Sequence, residues 1–526
     1  MYTYLFAIGI VVAIADAYGI GANDVANSFS TSVGSRSITL AQACIIAIFT
    51  EFLGAVLLGA GVAETIRGNI VSYADYKAEP GILMLGMVTS MIGSASWVIT
   101  ASNFGWPVST THSIVGAIIG FGIAARGADS VDWTWKGVGK IIASWFVSPV
   151  AAGIVAAIIF GLTQFFVLRH PNSLQRGLRA IPIYFSFAMA INIFYIVFKG
   201  APNLKLDQQP LGAVLGITFG VAVFIGVFCW FFYAHWLRRR LVYNEQTRWY
   251  HAFVSPFIGP LPKVPEGQTV INYQQHRLED EEQPSEMLED KAVVDGKLAE
   301  ELPAPATTEA PKRSFLDVAL HGVRQNVVDH NSANLKDMHD AAIKYDDRTE
   351  YLYSFLQVIT ASFASFAHGS NDVANAVGPF ATVYDIWSRN AIPDAKVPVP
   401  IWILVMGGAA IDLGLITFGY RVMRTLGNNL TYHSPSRGFS MELGTSLTVL
   451  TFSKLSLPVS TTHCITGATT AVGLMNGEGI RTLNWRMLLW CFFSWIITLP
   501  IAGGISGLLF AFVANSPTLA SSTAQY

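Results

Sequence analysis

Runs of apolar residues about 20 long, separated by short polar connections, dominate this chain, and roughly 20 apolar residues are what a helix needs to cross a bilayer. Such runs fall at 4–22, 40–62, 82–101, 108–125, 138–165, 180–198 and 211–236, and again at 351–369, 401–420, 441–457, 459–476 and 485–514. Seven candidates precede a long polar interruption and five follow it, about twelve in all. The pattern predicts an all-α, polytopic membrane protein. Segments 108–125, 441–457 and 459–476 are short or rich in glycine and hydroxyl residues, so they are expected to be broken helices: re-entrant hairpins or paired half-helices. The interruption opens on Arg238-Arg239-Arg240, directly after a helix end. Its stretch 266–309 holds twelve acids against three Lys/Arg, with scattered prolines; it has too little apolar surface to fold alone and is expected to be disordered. Residues 312–350 read as amphipathic and more helical. His321, His330 and His339 recur there every nine residues, which is no helical-face repeat, so no metal site is expected.

The polar motifs inside the apolar runs are duplicated. GANDVANSFSTSVG at 21–34 returns as GSNDVANAVGPFATV at 369–383, and PVSTTHSIVGAIIG at 107–120 returns as PVSTTHCITGATTA at 458–471. Asp372 stands 348 residues after Asp24 and His463 stands 351 after His112, so two separate motifs keep order and register. This divides the chain into a first membrane repeat (1–165), two intervening transmembrane helices (166–236), a hydrophilic and partly disordered loop (237–350) and a second membrane repeat (351–526). Seven spans before the second copy, an odd number, would bring it in from the opposite side. The expected architecture is therefore a pair of inverted-topology repeats, with substrate and ions at their interface near the midplane. Arginines and lysines near helix ends favour one side, which places the central loop in the cytoplasm and both termini outside.

Composition narrows the class. The 526 residues are 52% hydrophobic and 13% charged, against about 25% charged in soluble domains. The formal net charge of −2 gives no field that would attract nucleic acid. Cys44, Cys229, Cys464 and Cys491 all lie in apolar runs, as core residues and not as a disulfide or zinc framework. The N-terminal stretch lacks a basic region and a small-residue cleavage site, and reads as the first spanning helix. No nucleophile–base constellation and no phosphate-binding ATP loop is present, so an enzyme is not expected.

The duplicated motifs carry the chemistry. In PVSTTH a proline and small hydroxyl residues precede a helix, which suits a first turn and its cap. A helix starting inside the membrane has first-turn N–H groups without intrahelical partners and the positive end of its dipole. An oxyanion satisfies both, with Ser109, Thr110 and Thr111 adding hydroxyls, and Ser460, Thr461 and Thr462 giving a second such tip. In NDVAN, Asn23 and Asn27 share a helical face with Asp24 beside them, and Asn371, Asp372 and Asn375 repeat the set. An intramembrane aspartate is costly and marks function. Beside an anion it needs a cation between, which points to cation-coupled uptake with Na⁺ on Asp24, Asn27, Asp372 and Asn375. Gly21 and Gly369 would let the backbone open there. Glu51, Glu442, Asp412 and Asp16 are further intramembrane acids, each open to a role as ion ligand, proton carrier or half of a buried pair. His112 and His463 could meet the anion or hold a neighbouring carbonyl.

With these residues on the page, the chain resembles the inorganic phosphate transporter family. GANDVANSF, HGSNDVANAVGP and the paired PVSTTH motifs carry the likeness, which covers about 1–236 and 350–514, while the overall length and acidic loop look like the fungal sodium–phosphate symporters. The resemblance implies a plasma-membrane secondary transporter that moves inorganic phosphate into the cell with sodium by alternating access. It implies Asn23, Asp24, Ser109, Thr110, Thr111, Asn371, Asp372, Ser460, Thr461 and Thr462 around phosphate, and Asp24, Asn27, Asp372, Asn375, Glu51 and Glu442 around sodium. No cofactor is implied beyond sodium as co-substrate, and a homodimer is an open expectation. The copies differ: Ser370 stands opposite Ala22, and Asp412 is the nearest equivalent of Glu51. The family also holds proton-coupled and sulfate-carrying members.

Overall fold

The computed structural model describes residues 2–265 apart from 69, 136 and 200–208, then 322–325, 327, and 333–523 apart from 393–398, 456 and 458. Fourteen α-helices organise the described residues: α1 Thr3–Gly34, α2 Leu40–Gly68, α3 Pro80–Asn103, α4 Thr110–Arg126, α5 Val138–Thr163, α6 Ser173–Lys199, α7 Leu211–Phe228, α8 Ala234–Leu241, α9 Ala333–Asp340, α10 Asp347–Arg389, α11 Ile401–Leu430, α12 Pro435–Lys454, α13 Thr461–Leu474 and α14 Trp485–Thr523. A π-helical turn, Cys229–Tyr233, fuses α7 to α8. Eight of the resulting helices are long and apolar enough to cross a membrane. The runs at 108–125, 351–369, 441–457 and 459–476 are not among them. Two of these form α4 and α13, only 17 and 14 residues long, while α10 and α12 carry too many polar positions. The acidic stretch 266–309, His321 and His330 lie outside the described residues.

Both NDVAN motifs sit inside continuous helices, α1 and α10. The expected opening of the backbone at Gly21 and Gly369 does not occur, because these glycines serve packing. A Cβ at Gly21 would collide with the Ile411 carbonyl, and one at Gly414 with the Tyr18 carbonyl. The same reciprocal fit joins α2 to α10, with Gly369 against the Glu51 carbonyl and Gly54 against that of Phe366. Small residues let backbones approach where lipid offers no hydrophobic drive for helix association. Unbroken helices also keep their own N–H groups satisfied in hydrocarbon.

The two motif helices run antiparallel. Gly9 of α1 packs on Phe380 and Val383 near the end of α10, whereas Ser35, after α1, donates to Gln357 near the start of α10 at 2.7 Å. Two helical hairpins approach this pair from opposite ends. In the α3–α4 hairpin, Gly81 packs on Tyr2 at the start of α1. In the α12–α13 hairpin, Gly438 packs on Gln357, beside the end of α1. Each hairpin is pinned at its base by a short bridge, Val71 with Val131 and Thr431 with Leu483.

Part of the central loop is folded. Buried Arg239 pairs with Glu245 at 2.7 Å and donates to the carbonyls of Ser255, Ile258 and Gly259, gathering 242–265 against the end of α8. Arg437 is fully buried at the start of α12. It donates to Ser434, Asn476 and the Ile343 carbonyl, and so clamps the returning loop to the second hairpin.

Candidate functional site

The turns of the two hairpins meet beside NDVAN. Asn23 holds the first turn: its Nδ2 donates to Ser102 Oγ and the Trp106 carbonyl, both at 3.0 Å, and its Oδ1 accepts from Val108 N at 3.1 Å. Asn371 holds the second, donating to the Val459 carbonyl at 2.9 Å and accepting from Ser453 Oγ at 3.1 Å. Ser109 and Ser460 are N-caps, accepting from the N–H of His112 and His463 at 3.2 and 3.3 Å. Each cap satisfies one first-turn donor, and the other first-turn N–H groups of α4 and α13 have no partner within their own helix. Asn23, Asn371, Ser109 and Ser460 therefore build and aim the tips.

The threonines line that space. Thr110 Oγ1 donates to Asp24 Oδ2 at 2.5 Å and Thr461 Oγ1 to Asp372 Oδ2 at 2.8 Å. Thr462 Oγ1 reaches Asp24 Oδ1 at 3.0 Å. Asn27 donates to Thr462 at 2.9 Å, and Asn375 to Thr110 and Thr111 at 3.2 and 3.3 Å. The tips also touch directly, Thr111 donating to the Val459 carbonyl and Thr462 to that of Val108, at 3.4 and 3.3 Å. All these side chains are buried. Asn27 Oδ1 has no hydrogen-bond partner among the described residues. The arrangement offers helix-end donors to an anion and carboxylate and amide oxygens to a small hard cation.

His368, which the sequence reading passed over inside HGSNDVAN, joins this centre to Glu51. Its Nδ1 lies 2.6 Å from Glu51 Oε2, and its Nε2 lies 2.8 Å from Asp372 Oδ2 and 3.9 Å from Asp24 Oδ2. Asp24, His368 and Asp372 together have the spacing of a cation site. The signal was present: His368 stands four residues before Asp372, on one helical face. Ser365 donates to the other oxygen of Glu51 at 2.8 Å.

Glu442 stands apart. It accepts from Thr31 and Ser32 at 2.6 Å, from Thr360 at 2.6 Å and from Gln357 at 3.2 Å. Thr31 is seven residues beyond Asp24, ~10 Å along the helix, so Glu442 is no part of the central shell. None of its four partners was singled out in the sequence. His112 and His463 also miss the centre; each holds a carbonyl, of Trp495 at 3.3 Å and Trp145 at 3.1 Å, and their rings meet edge to face at 4.5 Å.

The two halves are unequal in a way the packing defines. Ser453 follows Ser102 by 351 residues and also bonds the asparagine of its half, donating to Asn371 where Ser102 accepts from Asn23, so in this register Glu442 falls opposite Met91. At the 348-residue offset of the motif helices, Gln357, Thr360, Thr31 and Ser32 fall opposite Gly9, Val12, Pro379 and Phe380. The polar cage around Glu442 thus has apolar residues in its place on the other side of the centre. The glycine crossings place Ile411, not Asp412, opposite Glu51, which corrects the equivalence expected from sequence. Asp412 follows Ile411 by one residue, and no hydrogen bond to Glu51 or His368 is formed by it among the described residues.

A helical membrane protein that buries paired carboxylates between two inward-pointing helix ends has the build of an ion-coupled anion carrier. The chain matches the phosphate transporter family over residues 20–506. It is 39% identical to the phosphate-repressible phosphate permease pho-4 of Neurospora crassa, over 98% of each chain. It is 31% identical to sodium-dependent phosphate transporter 1 of Mus musculus, over 97% of this chain and 95% of the relative. A solved structure titled the sodium-dependent phosphate transporter superposes with a TM-score of 0.68 at 30% identity, covering 97% of this chain and 99% of its own. The chain belongs to the phosphate transporter family, a family of permeases and not of enzymes.

Proposed function

We propose that this protein carries inorganic phosphate into the cell with sodium ions by alternating access, as a plasma-membrane symporter whose central loop is cytoplasmic and whose termini are outside. The observation that carries the reading is the pair of opposed tips at Thr110–Thr111 and Thr461–Thr462, each bonded to a buried aspartate. Phosphate takes the helix-end N–H groups and threonine hydroxyls. Sodium takes Asp24, Asn27, Asp372 and Asn375 and offsets the charge that would otherwise repel the anion. Glu51 acts on this set through His368, and Glu442 holds a cation on the polar side of the centre. The antiparallel α1 and α10, with hairpins entering from opposite ends, support an inverted pair of repeats rocking about this site.

The driving force is sufficient. One net positive charge crossing 100 mV yields about 2.3 kcal/mol, and a tenfold sodium gradient adds about 1.4 kcal/mol per ion. Two sodium ions would concentrate phosphate well over a hundredfold.

The test is uptake of radiolabelled phosphate into proteoliposomes, with and without an imposed sodium gradient. The gradient should drive accumulation in the wild type, and Asp24→Asn should lose the sodium dependence. An Asp24→Asn protein with unaltered sodium dependence would refute the assignment. Equal uptake when choline replaces sodium would point to proton coupling.

A further inference from the structure

Asp16 of α1 has no part in the site described above, yet it is fully buried, and neither carboxylate oxygen has a hydrogen-bond partner among the described residues. An uncompensated buried carboxylate is among the most expensive groups a membrane interior can hold. The Ser94 hydroxyl of α3 lies beside it, itself buried. Ser90 lies one turn earlier on the same face of α3 and meets Ser506 of α14 at 3.4 Å. The rest of the surroundings is the large apolar core that holds Ala13, Ala17, Ile20, Met87 and Met91.

Its position gives it meaning. Asp16 stands eight residues before Asp24, ~12 Å along α1, on the side of the centre opposite Glu442. On that side Met91 stands in the place of Glu442, and Gly9, Val12, Pro379 and Phe380 stand in the places of its four partners. Beyond Asp16 the start of α1 is closed by packed aromatic rings, Phe6 stacking on Trp387 at 4.1 Å and lying 6.0 Å from Phe380. Asp16 is thus a carboxylate between the aromatic closure and the central site, with the Ser94 hydroxyl beside it and, among the described residues, no ion-pair partner.

We infer that Asp16 and Ser94 form a sodium station on the α1 N-terminal side of the centre, holding an ion between the aromatic closure and Asp24. It answers, across the centre, to the station at Glu442. A small monovalent cation fits the chemistry, because carboxylate and hydroxyl oxygens are hard ligands and one charge balances one carboxylate. The inference rests on the sodium-symport reading, and the experiment separates the two.

Sodium dependence of phosphate uptake is measured in proteoliposomes for wild type, Asp16→Asn, Asp16→Glu and Ser94→Ala, together with ²²Na⁺ bound to the purified proteins. Asp16→Asn should raise the sodium concentration for half-maximal uptake about tenfold, the worth of about one lost ion contact, and should lower the cooperativity in sodium and the number of bound ions. Ser94→Ala should shift the half-maximal concentration in the same direction by less, and Asp16→Glu should restore most of it. If Asp16→Asn does not fold, Ser94→Ala and the ²²Na⁺ count decide alone. Asp16→Asn or Ser94→Ala with wild-type sodium affinity, cooperativity and ion count would overturn the station and leave symport standing. A wild type that ignores sodium would overturn symport itself.

Discussion

His368 shows how much one side chain can bind together. It touches Glu51 and Asp372 and lies near Asp24, all fully buried. Removing one partner of a buried charged set leaves the rest uncompensated and costs about 3–5 kcal/mol. His368→Ala should therefore lower the melting temperature of the purified protein and abolish sodium-driven uptake. Glu442 differs, since its four partners are neutral donors. Glu442→Gln should fold, keep phosphate binding at the central tips and lose sodium affinity; equal sodium dependence of uptake would exclude a cation there. Of these two side chains, Glu442 was legible from sequence as a mid-segment acid. The role of His368 was not, because a histidine beside NDVAN acquires its meaning from Glu51, 317 residues away.

At the scale of the helix, the duplicated motifs foretold two helix starts with small hydroxyl residues at the cap, and α4 and α13 start so, with Ser109 and Ser460 as the caps. Ser109→Ala or Ser460→Ala should cost about 1 kcal/mol, read as a small loss of thermal stability together with weaker phosphate affinity, because the tip it frames loosens. The local reading erred on the glycines. Gly21 and Gly369 read as sites of unwinding, since glycine spacing alone cannot tell a flexible backbone from a close crossing. The carbonyls of Ile411 and Glu51 decide it. Gly21→Val should force α1 from α11 and yield little folded protein, measured as the monodisperse fraction in detergent, whereas Gly216→Val, where nothing lies within 4 Å, should be tolerated.

Across the whole molecule the consequence is asymmetry within a pseudo-symmetric frame. The central tips are near-equivalent, while their flanks are polar on one side and sealed by aromatic rings on the other. In alternating access the seal must part. A cysteine at Phe380 should resist a membrane-impermeant thiol reagent when sodium and phosphate are saturating and become reactive when both are withdrawn. All four native cysteines are buried, so background labelling should be low. Protection that does not change with substrate would argue against Phe380 as a gate.

Sequence by itself determined the membrane class, the duplication and the two kinds of motif, because hydropathy, repeat register and helix-end chemistry are all written in local spacing. Tertiary structure alone decided which carboxylates share a histidine, which glutamate stands outside the centre, and which flank is polar. Those facts depend on the relative register of helices more than 300 residues apart in the chain. That register is set where glycines let backbones meet, and no local pattern encodes what the opposing helix presents there.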